Sequence, residues 1–354
     1  MLQDPAKAEE YAEYAQHLAT RDSYQPGVAD SHLNLAWVSI YLSNYEQAED
    51  HLHAAERIYA RIDDNEGAAK VANARGVVAQ QRSDYDAALE FYRDSLRIAR
   101  TENLLSRQLS VLNNIGEVHL EMRHLREAEQ FFSQAMELIG RLTDSSGRLE
   151  MPEAYGVVLT NLGDVRIREG RLDDAAGLLE RALTDARNSR DAVSEAEAIS
   201  LLGVVAAERG DLEQAERYQN ESLQISRRIQ NLLKRCGAIV RLADVYRRLG
   251  KSETSLEFYQ EALDAATKVG SRFFQFRIYR RASESLEVLG RHREALEYHK
   301  LYSDVRARLL SESAAQRVKN LNERLEADQL RIANERLTAV QEVARDITAS
   351  LDLE

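Results

Sequence analysis

The sequence is poor in residues that interrupt helices, cross-link chains or bind metals. Only 3 of its 354 residues are proline and only 16 are glycine, which excludes an all-β protein with many tight turns. The single cysteine, Cys236, excludes a disulfide framework and a thiolate metal site. The longest apolar stretch, residues 199–207, is too short to span a bilayer. The sequence therefore predicts an all-α protein without a membrane-spanning segment.

The charge of the chain argues against a nucleic-acid partner. Lysine and arginine number 47 against 59 acidic residues, a net charge of -12, and an acidic chain is a poor general binder of nucleic acid. No apolar signal segment follows Met1. We expect a cytoplasmic protein with no nucleic-acid and no membrane partner.

A repeat of about 40 residues organises most of the sequence. Seven segments share a turn followed by a small anchor residue, and successive anchors lie 40, 40, 47, 40, 40 and 40 residues apart. A second small residue precedes each anchor by twelve positions. Small residues at these spacings let two antiparallel helices approach closely. The anchors are Ala48, Ala88, Ala128, Ala175, Ala215, Ser255 and Ala295, and their small partners are Ala36, Gly76, Gly116, Gly163, Gly203, Ala243 and Ser283.

This pattern resembles the tetratricopeptide repeat family from about residue 6 to residue 305. The chain departs from the 34-residue form of that family in having six more residues per unit and no tryptophan at the signature position of the first helix. It looks most like the long-helix variety found in kinesin light chains and in bacterial peptide-responsive regulators. The resemblance implies an all-α solenoid, a right-handed superhelix of helix pairs, followed here by a long C-terminal helix.

The repeat phase divides the chain into three segments. Residues 1–28 are interpreted as one helix, the second half of a repeat, so that the chain is interpreted as a fragment of a longer protein. Residues 29–310 are predicted to form seven helix pairs. The additional seven residues of the 47-residue interval fall around Gly140–Pro152 and predict a longer loop. Residues 311–354 are predicted to form a long helix that links the array to an output domain.

The C-terminal segment carries the spacing of a coiled coil. Its apolar residues alternate at intervals of three and four, which is the heptad of paired helices. A weak homodimer through residues 311–354 is therefore predicted. Folding of this helix back onto the last repeat remains an alternative. The predicted seam residues are Leu330, Leu337, Val340, Ile347 and Leu351.

The resemblance places the first helix of each pair on the concave face, where two sets of side chains stand out. Asparagine offers a donor and an acceptor and can hold the backbone of an extended peptide; bridging between neighbouring helices is the alternative. Residues 227–308 carry 18 basic against 10 acidic residues, and an arginine cluster suits a carboxylate or phosphate. Ion pairs with Asp244, Glu284 and Glu287 are the alternative here. The predicted groove residues are Asn34, Asn73, Asn113, Asn114, Asn161, Arg241, Arg280 and Arg281.

No catalytic motif is present, and no catalytic residue, metal ligand or cofactor is predicted. The favoured hypothesis is a non-catalytic module that binds a peptide or protein segment in its groove. It would be the sensory or partner-recruiting region of a bacterial signalling protein and would transmit through the C-terminal helix. Two alternatives remain open: a stand-alone assembly scaffold, and a peptide-responsive regulator that acts on a phosphorylated response protein.

Overall fold

The computed structural model describes residues 5–42, 44–82, 84–141, 152–228, 232–268 and 271–308. Within these ranges the regular elements are α-helices and none is a strand, which confirms the all-α prediction. The helices are α1 (Pro5–Arg21), α2 (Gln25–Tyr41), α3 (Tyr45–Arg61), α4 (Asn65–Gln81), α5 (Tyr85–Thr101), α6 (Leu105–Glu121), α7 (Leu125–Arg141), α8 (Pro152–Arg168), α9 (Leu172–Ser189), α10 (Ala192–Glu208), α11 (Leu212–Arg228), α12 (Leu232–Arg248), α13 (Ser252–Lys268), α14 (Arg272–Val288) and α15 (292–308).

The helices after α1 pack as consecutive pairs, beginning with α2/α3 and ending with α14/α15. The packing contacts are densest within a pair and then between its second helix and the next pair. In the last pair the Ser283 hydroxyl donates to the carbonyl of Ala295 at 3.1 Å. We refer to the even-numbered member of each pair as the first helix and to the odd-numbered member as the second. The long C-terminal helix and its seam residues lie outside the described residues.

The anchor residues lie in the second helices and are all buried, between 0% and 3% exposed. Opposite them, several first helices carry a glycine where a large side chain of the second helix fills the space. A Cβ added to Gly76 would lie 2.4 Å from the Tyr92 ring, and one added to Gly116 would lie 2.5 Å from the Phe132 ring. The first pair achieves the same fit with Ala36 and Leu52, both buried in one apolar cluster. The small-residue spacing read from the sequence is thus the packing rule of each pair.

Polar side chains fix where several first helices begin. The Asp64 carboxylate accepts from the backbone N–H of Gly67 at 2.8 Å, and Asp191 accepts from Ser194 at 3.2 Å. Such N-caps satisfy backbone donors that a helix start leaves unpaired. The turns within later pairs are closed by Gly170, Gly210, Gly250 and Gly290, with φ between 72° and 86°.

We expect opposite stability changes from two glycine-to-alanine substitutions. An added Cβ meets no atom within 4 Å at either Gly210 or Gly177, so only backbone conformation differs. Gly210→Ala should cost about 1 kcal/mol because an L-residue is strained at φ 86°. Gly177→Ala, inside α9, should stabilise by about 0.5–1 kcal/mol. Urea unfolding measures both changes, and equal effects at the two sites would show that the turn backbone imposes no constraint.

Each first helix also contacts the first helix of the next pair, from α2 through to α14. Among the described helices, α3 to α13 show no comparable contacts between successive second helices. Successive first helices therefore lie closer together than successive second helices. The side chains of the first helices that point away from the second helices form a continuous surface. We call this the inner surface. All of it lies within the compact unit formed by residues up to Ala307.

Candidate functional site

A cleft on the inner surface is formed by three consecutive first helices. Its volume is about 290 Å³, and α6, α8 and α10 supply the whole lining. The lining contains apolar, hydroxyl and amide side chains together with charged ones. The lining residues are Glu117, Leu120, Glu121, Val157, Thr160, Asn161, Asp164, Arg168, Val193, Ser194, Glu197 and Leu201.

The cleft is strongly acidic because four carboxylates face one arginine. That arginine, Arg168, is bound by both carboxylate oxygens of Asp164 at 3.1 and 3.0 Å and donates to the Leu120 carbonyl at 3.0 Å. Desolvation and the nearby Glu117 carboxylate raise the pKa of Glu121 to about 7.

The predicted asparagines form hydrogen bonds that link three first helices. Asn114 of α6 donates to the amide oxygen of Asn73 of α4 at 3.0 Å. Asn161 of α8 donates to the amide oxygen of Asn113 at 2.8 Å and to Glu117 at 3.1 Å. Asn113 in turn donates to Glu117 at 2.8 Å. The bridging role considered for these residues is therefore present, and what they bind besides one another stays a prediction.

The asparagines differ in their solvent exposure and in which of their amide groups remain free to bond to a ligand. Asn73 and Asn113 are only 4% and 9% exposed, and Asn113 is engaged through both its oxygen and its nitrogen. Asn114 and Asn161 are half-buried and act as donors in these bonds, while Asn34 is exposed on α2. An amide oxygen that is not needed by a neighbouring helix can still accept from a ligand.

The predicted arginines lie further along the inner surface, on α12 and α14. Arg241 reaches Glu197 of α10 at 3.6 Å. Arg281 reaches Asp244 of α12 at 3.6 Å and Glu284 at 3.2 Å, so the ion pairs considered with Asp244 and Glu284 are present. Arg280 is exposed on α14. Whether these arginines bind a ligand stays a prediction.

Sequence reasoning missed the acidic residues of the cleft. Glu117 and Asp164 lie three positions after Asn114 and Asn161, and residues three apart share one face of a helix. That spacing could have revealed both carboxylates. It could not have revealed Glu121 or Glu197, because neither stands at that offset from a predicted residue.

Three further observations concern metal binding, membrane crossing and the reactivity of the cysteine. In the ranges that the structure covers, no three histidine, cysteine, aspartate or glutamate side chains are grouped as a metal ion requires. Along the described helices, none combines the length and hydropathy needed to cross a membrane. Cys236 is buried, and desolvation raises the pKa of its thiol to about 12, so the nucleophilic thiolate is scarce at neutral pH.

Comparison with known families identifies the class of protein. The tetratricopeptide repeat pattern matches residues 27–101, 155–228 and 235–307 in one form and residues 109–140 in another. These matches cover well over half of the chain, and they coincide with the helix pairs. The chain belongs to the tetratricopeptide repeat family.

Solved structures with the same fold include regulators of the Rap and NprR type. A Rap protein in complex with the competence and sporulation factor has a TM-score of 0.62 at 15% identity, over 87% of this chain and 95% of that one. The Rap conjugation regulator of plasmid pLS20, in complex with the Phr* peptide, scores 0.65 at 15% identity over 83% and 78%. The apo quorum sensor NprR from B. thuringiensis scores 0.62 at 15% identity over 85% and 82%. Among curated proteins, no sequence is significantly similar.

Proposed function

We propose that this chain is a non-catalytic binding module whose inner surface holds an extended peptide or protein segment. The ligand lies across the first helices, with its backbone on the amides of Asn114 and Asn161 and its side chains in the adjoining cleft. The module serves as the sensory or partner-recruiting region of a bacterial signalling protein.

The observation that carries this proposal is the composition of the cleft. Its lining combines the Asn161 amide, carboxylates and hydroxyls with Leu120, Val157 and Leu201, which is the mixture of polar and apolar groups that small-ligand sites use for orientation and burial. Two structures of the same fold were determined with the competence and sporulation factor and with the Phr* peptide. They support peptide as the class of ligand.

We propose that the effect of ligand binding is transmitted to an output domain through residues 311–354. A ligand that contacts several first helices stabilises one relative arrangement of them, because it binds that arrangement more tightly than others. The heptad of the C-terminal segment would carry the change as a weak homodimer to an output domain. This part of the proposal rests on the sequence pattern alone.

A random peptide library tests the proposal directly. The full chain is immobilised and exposed to synthetic decapeptides, and the retained peptides are sequenced and titrated individually. We expect a subset to bind saturably with a stoichiometry of one per chain. If no peptide is retained above an empty matrix, the peptide-binding function is wrong.

A further inference from the structure

Helix α1, which precedes the first pair, presents an aromatic face to solvent. Tyr11 and Tyr14 are 68% and 63% exposed. Together with the exposed Ala15 and the half-buried Leu18 they follow the i, i+3, i+4, i+7 spacing of a single helix face. Ala19 lies on another face of α1, against Gly27 of α2. A contiguous exposed patch of this kind marks an interaction surface, and we call these four residues the aromatic face.

The aromatic face occupies a position that another helix covers elsewhere in the array. Each second helix from α3 to α13 packs against a first helix on either side, whereas α1 packs extensively only against α2 among the described helices. Ala15 and Leu18 correspond in the repeat to Ala55 and Ile58 of α3, forty residues further on. Ala55 is fully buried and Ile58 packs against the apolar cluster of the first pair. The aromatic face therefore has the character of a helix-packing surface.

The charges of α1 favour a second α1 that runs in the opposite direction. The amino-terminal half of the helix carries three glutamates against one lysine, and the carboxyl-terminal half carries His17 and Arg21. Two such helices packed antiparallel bring the acidic half of each beside the basic half of the other. Parallel packing would bring like charges together, which costs free energy.

From these observations we infer that the aromatic face is a homodimer contact, in which α1 packs antiparallel against α1 of a second copy about a two-fold axis. An axis midway between Tyr14 and Ala15 sets each Tyr14 against the Ala15 of the other copy, and each Tyr11 against Leu18. A large side chain against a small one is the fit that the helix pairs of this chain use. The contact does not depend on peptide binding at the inner surface.

The size of the contact is that of a weak dimer. A tyrosine side chain buries about 150–250 Å², so the exposed parts of Tyr11 and Tyr14 in the two copies contribute roughly 500 Å². The side chains around them bring the total to roughly 1,000 Å², the lower end for specific interfaces. We therefore expect a dissociation constant in the micromolar range.

Single cysteines locate the contact, because the only cysteine of the chain, Cys236, is buried. Ala15→Cys places the two thiols beside the proposed axis. Thr20→Cys is the matched control, exposed on the opposite face of α1, where the two thiols would lie roughly 17 Å apart along the helices. Under mild oxidation of the full chain, A15C should form disulfide-linked dimers about tenfold faster than T20C, since a disulfide requires close thiols. Equal rates would indicate random collision and would overturn the inference.

Sedimentation velocity tests the tyrosines themselves. The full chain should associate as its concentration is raised, and Y11A/Y14A should weaken this association about hundredfold, since buried tyrosines dominate such contacts. The control L296A/L301A removes exposed leucines from α15 and should leave the association unchanged. Circular dichroism establishes that each variant is folded.

A charge exchange tests the antiparallel direction. The proposed axis brings Glu10 of each copy near Arg21 of the other. E10K should weaken the association about fivefold, and E10K/R21E should restore it to within about twofold, because exposed ion pairs contribute effects of this size. If E10K/R21E associates no better than E10K, the antiparallel arrangement is wrong.

The outcomes together decide the inference. Preferential cross-linking of A15C, with an association that Y11A/Y14A weakens, supports it. A chain that stays monomeric at about 100 µM, well above a micromolar dissociation constant, overturns it. An association that Y11A/Y14A leaves unchanged also overturns it and places the contact elsewhere, such as in residues 311–354.

Discussion

Gly116→Ala is expected to lower the free energy of unfolding by about 1–3 kcal/mol. The added methyl would lie 2.5 Å from the Phe132 ring, which is itself fully buried between α6 and α7. Either the Phe132 ring or one of the two helices must move to make room for the methyl group, and all three are tightly packed. Alanine at the exposed helical Gly177 is the matched control, because it introduces the same methyl into open space.

A double-mutant cycle makes this prediction specific to packing. Phe132→Leu alone should cost about 1 kcal/mol or more through the space it leaves. Combined with Gly116→Ala it reproduces the pairing of Ala36 and Leu52 in the first pair, and it should be less destabilising than the two single changes added together. Urea unfolding gives the coupling energy, expected at about 0.5–3 kcal/mol. Additive losses would show that the two residues do not share one space.

Asn114→Ala combined with Asn161→Ala is expected to weaken binding of a captured peptide about thirtyfold. Each amide supplies about 1 kcal/mol of net hydrogen bonding to the ligand backbone, and 2 kcal/mol corresponds to that factor. Association rates should change little, because affinity differences between variants of one interface arise mostly in dissociation. Surface plasmon resonance separates the two rates.

The double variant also loses bonds between helices, so its stability needs a control. Asn73, Asn113 and Glu117 each lose a donor, and the melting temperature should fall. Asn34→Ala provides an independent measure, because Asn34 is exposed; it should weaken binding of peptides that extend to α2 without changing the melting temperature. N188A/N220A, on the second helices α9 and α11, should leave peptide binding unchanged. Its melting temperature is measured as well, because the half-buried Asn220 donates to the Glu216 carbonyl at 3.0 Å and hydrogen-bonds to Tyr246 of α12.

The sequence was sufficient to predict the repeat because the packing rule within a pair is local. Ala48 and Ala36 lie twelve residues apart, and that spacing places them on helices that meet across a short turn. The same rule covers Gly116 and Phe132, which are sixteen residues apart. Such offsets recur in every pair, so their periodicity is visible without a structure.

The candidate site could be predicted only in part, because its bonds run between pairs. Asn114 and Asn73 are 41 residues apart and Asn161 and Asn113 are 48 apart, which differ from the repeat length. Which side chains meet therefore depends on the register between neighbouring first helices. The sequence identified the asparagines as inner-surface residues but left open which of them would bond to one another.

The central claim is that the ligand binds to the inner surface formed by the first helices, and that the second helices do not bind it. The most direct measurement is a titration of one captured peptide against the wild-type chain, N114A/N161A and N188A/N220A, with folding checked by circular dichroism. The account predicts that N114A/N161A binds the peptide about thirtyfold more weakly than the wild-type chain and that N188A/N220A binds it with unchanged affinity. Unchanged affinity of a folded N114A/N161A chain, or a loss confined to N188A/N220A, would contradict it.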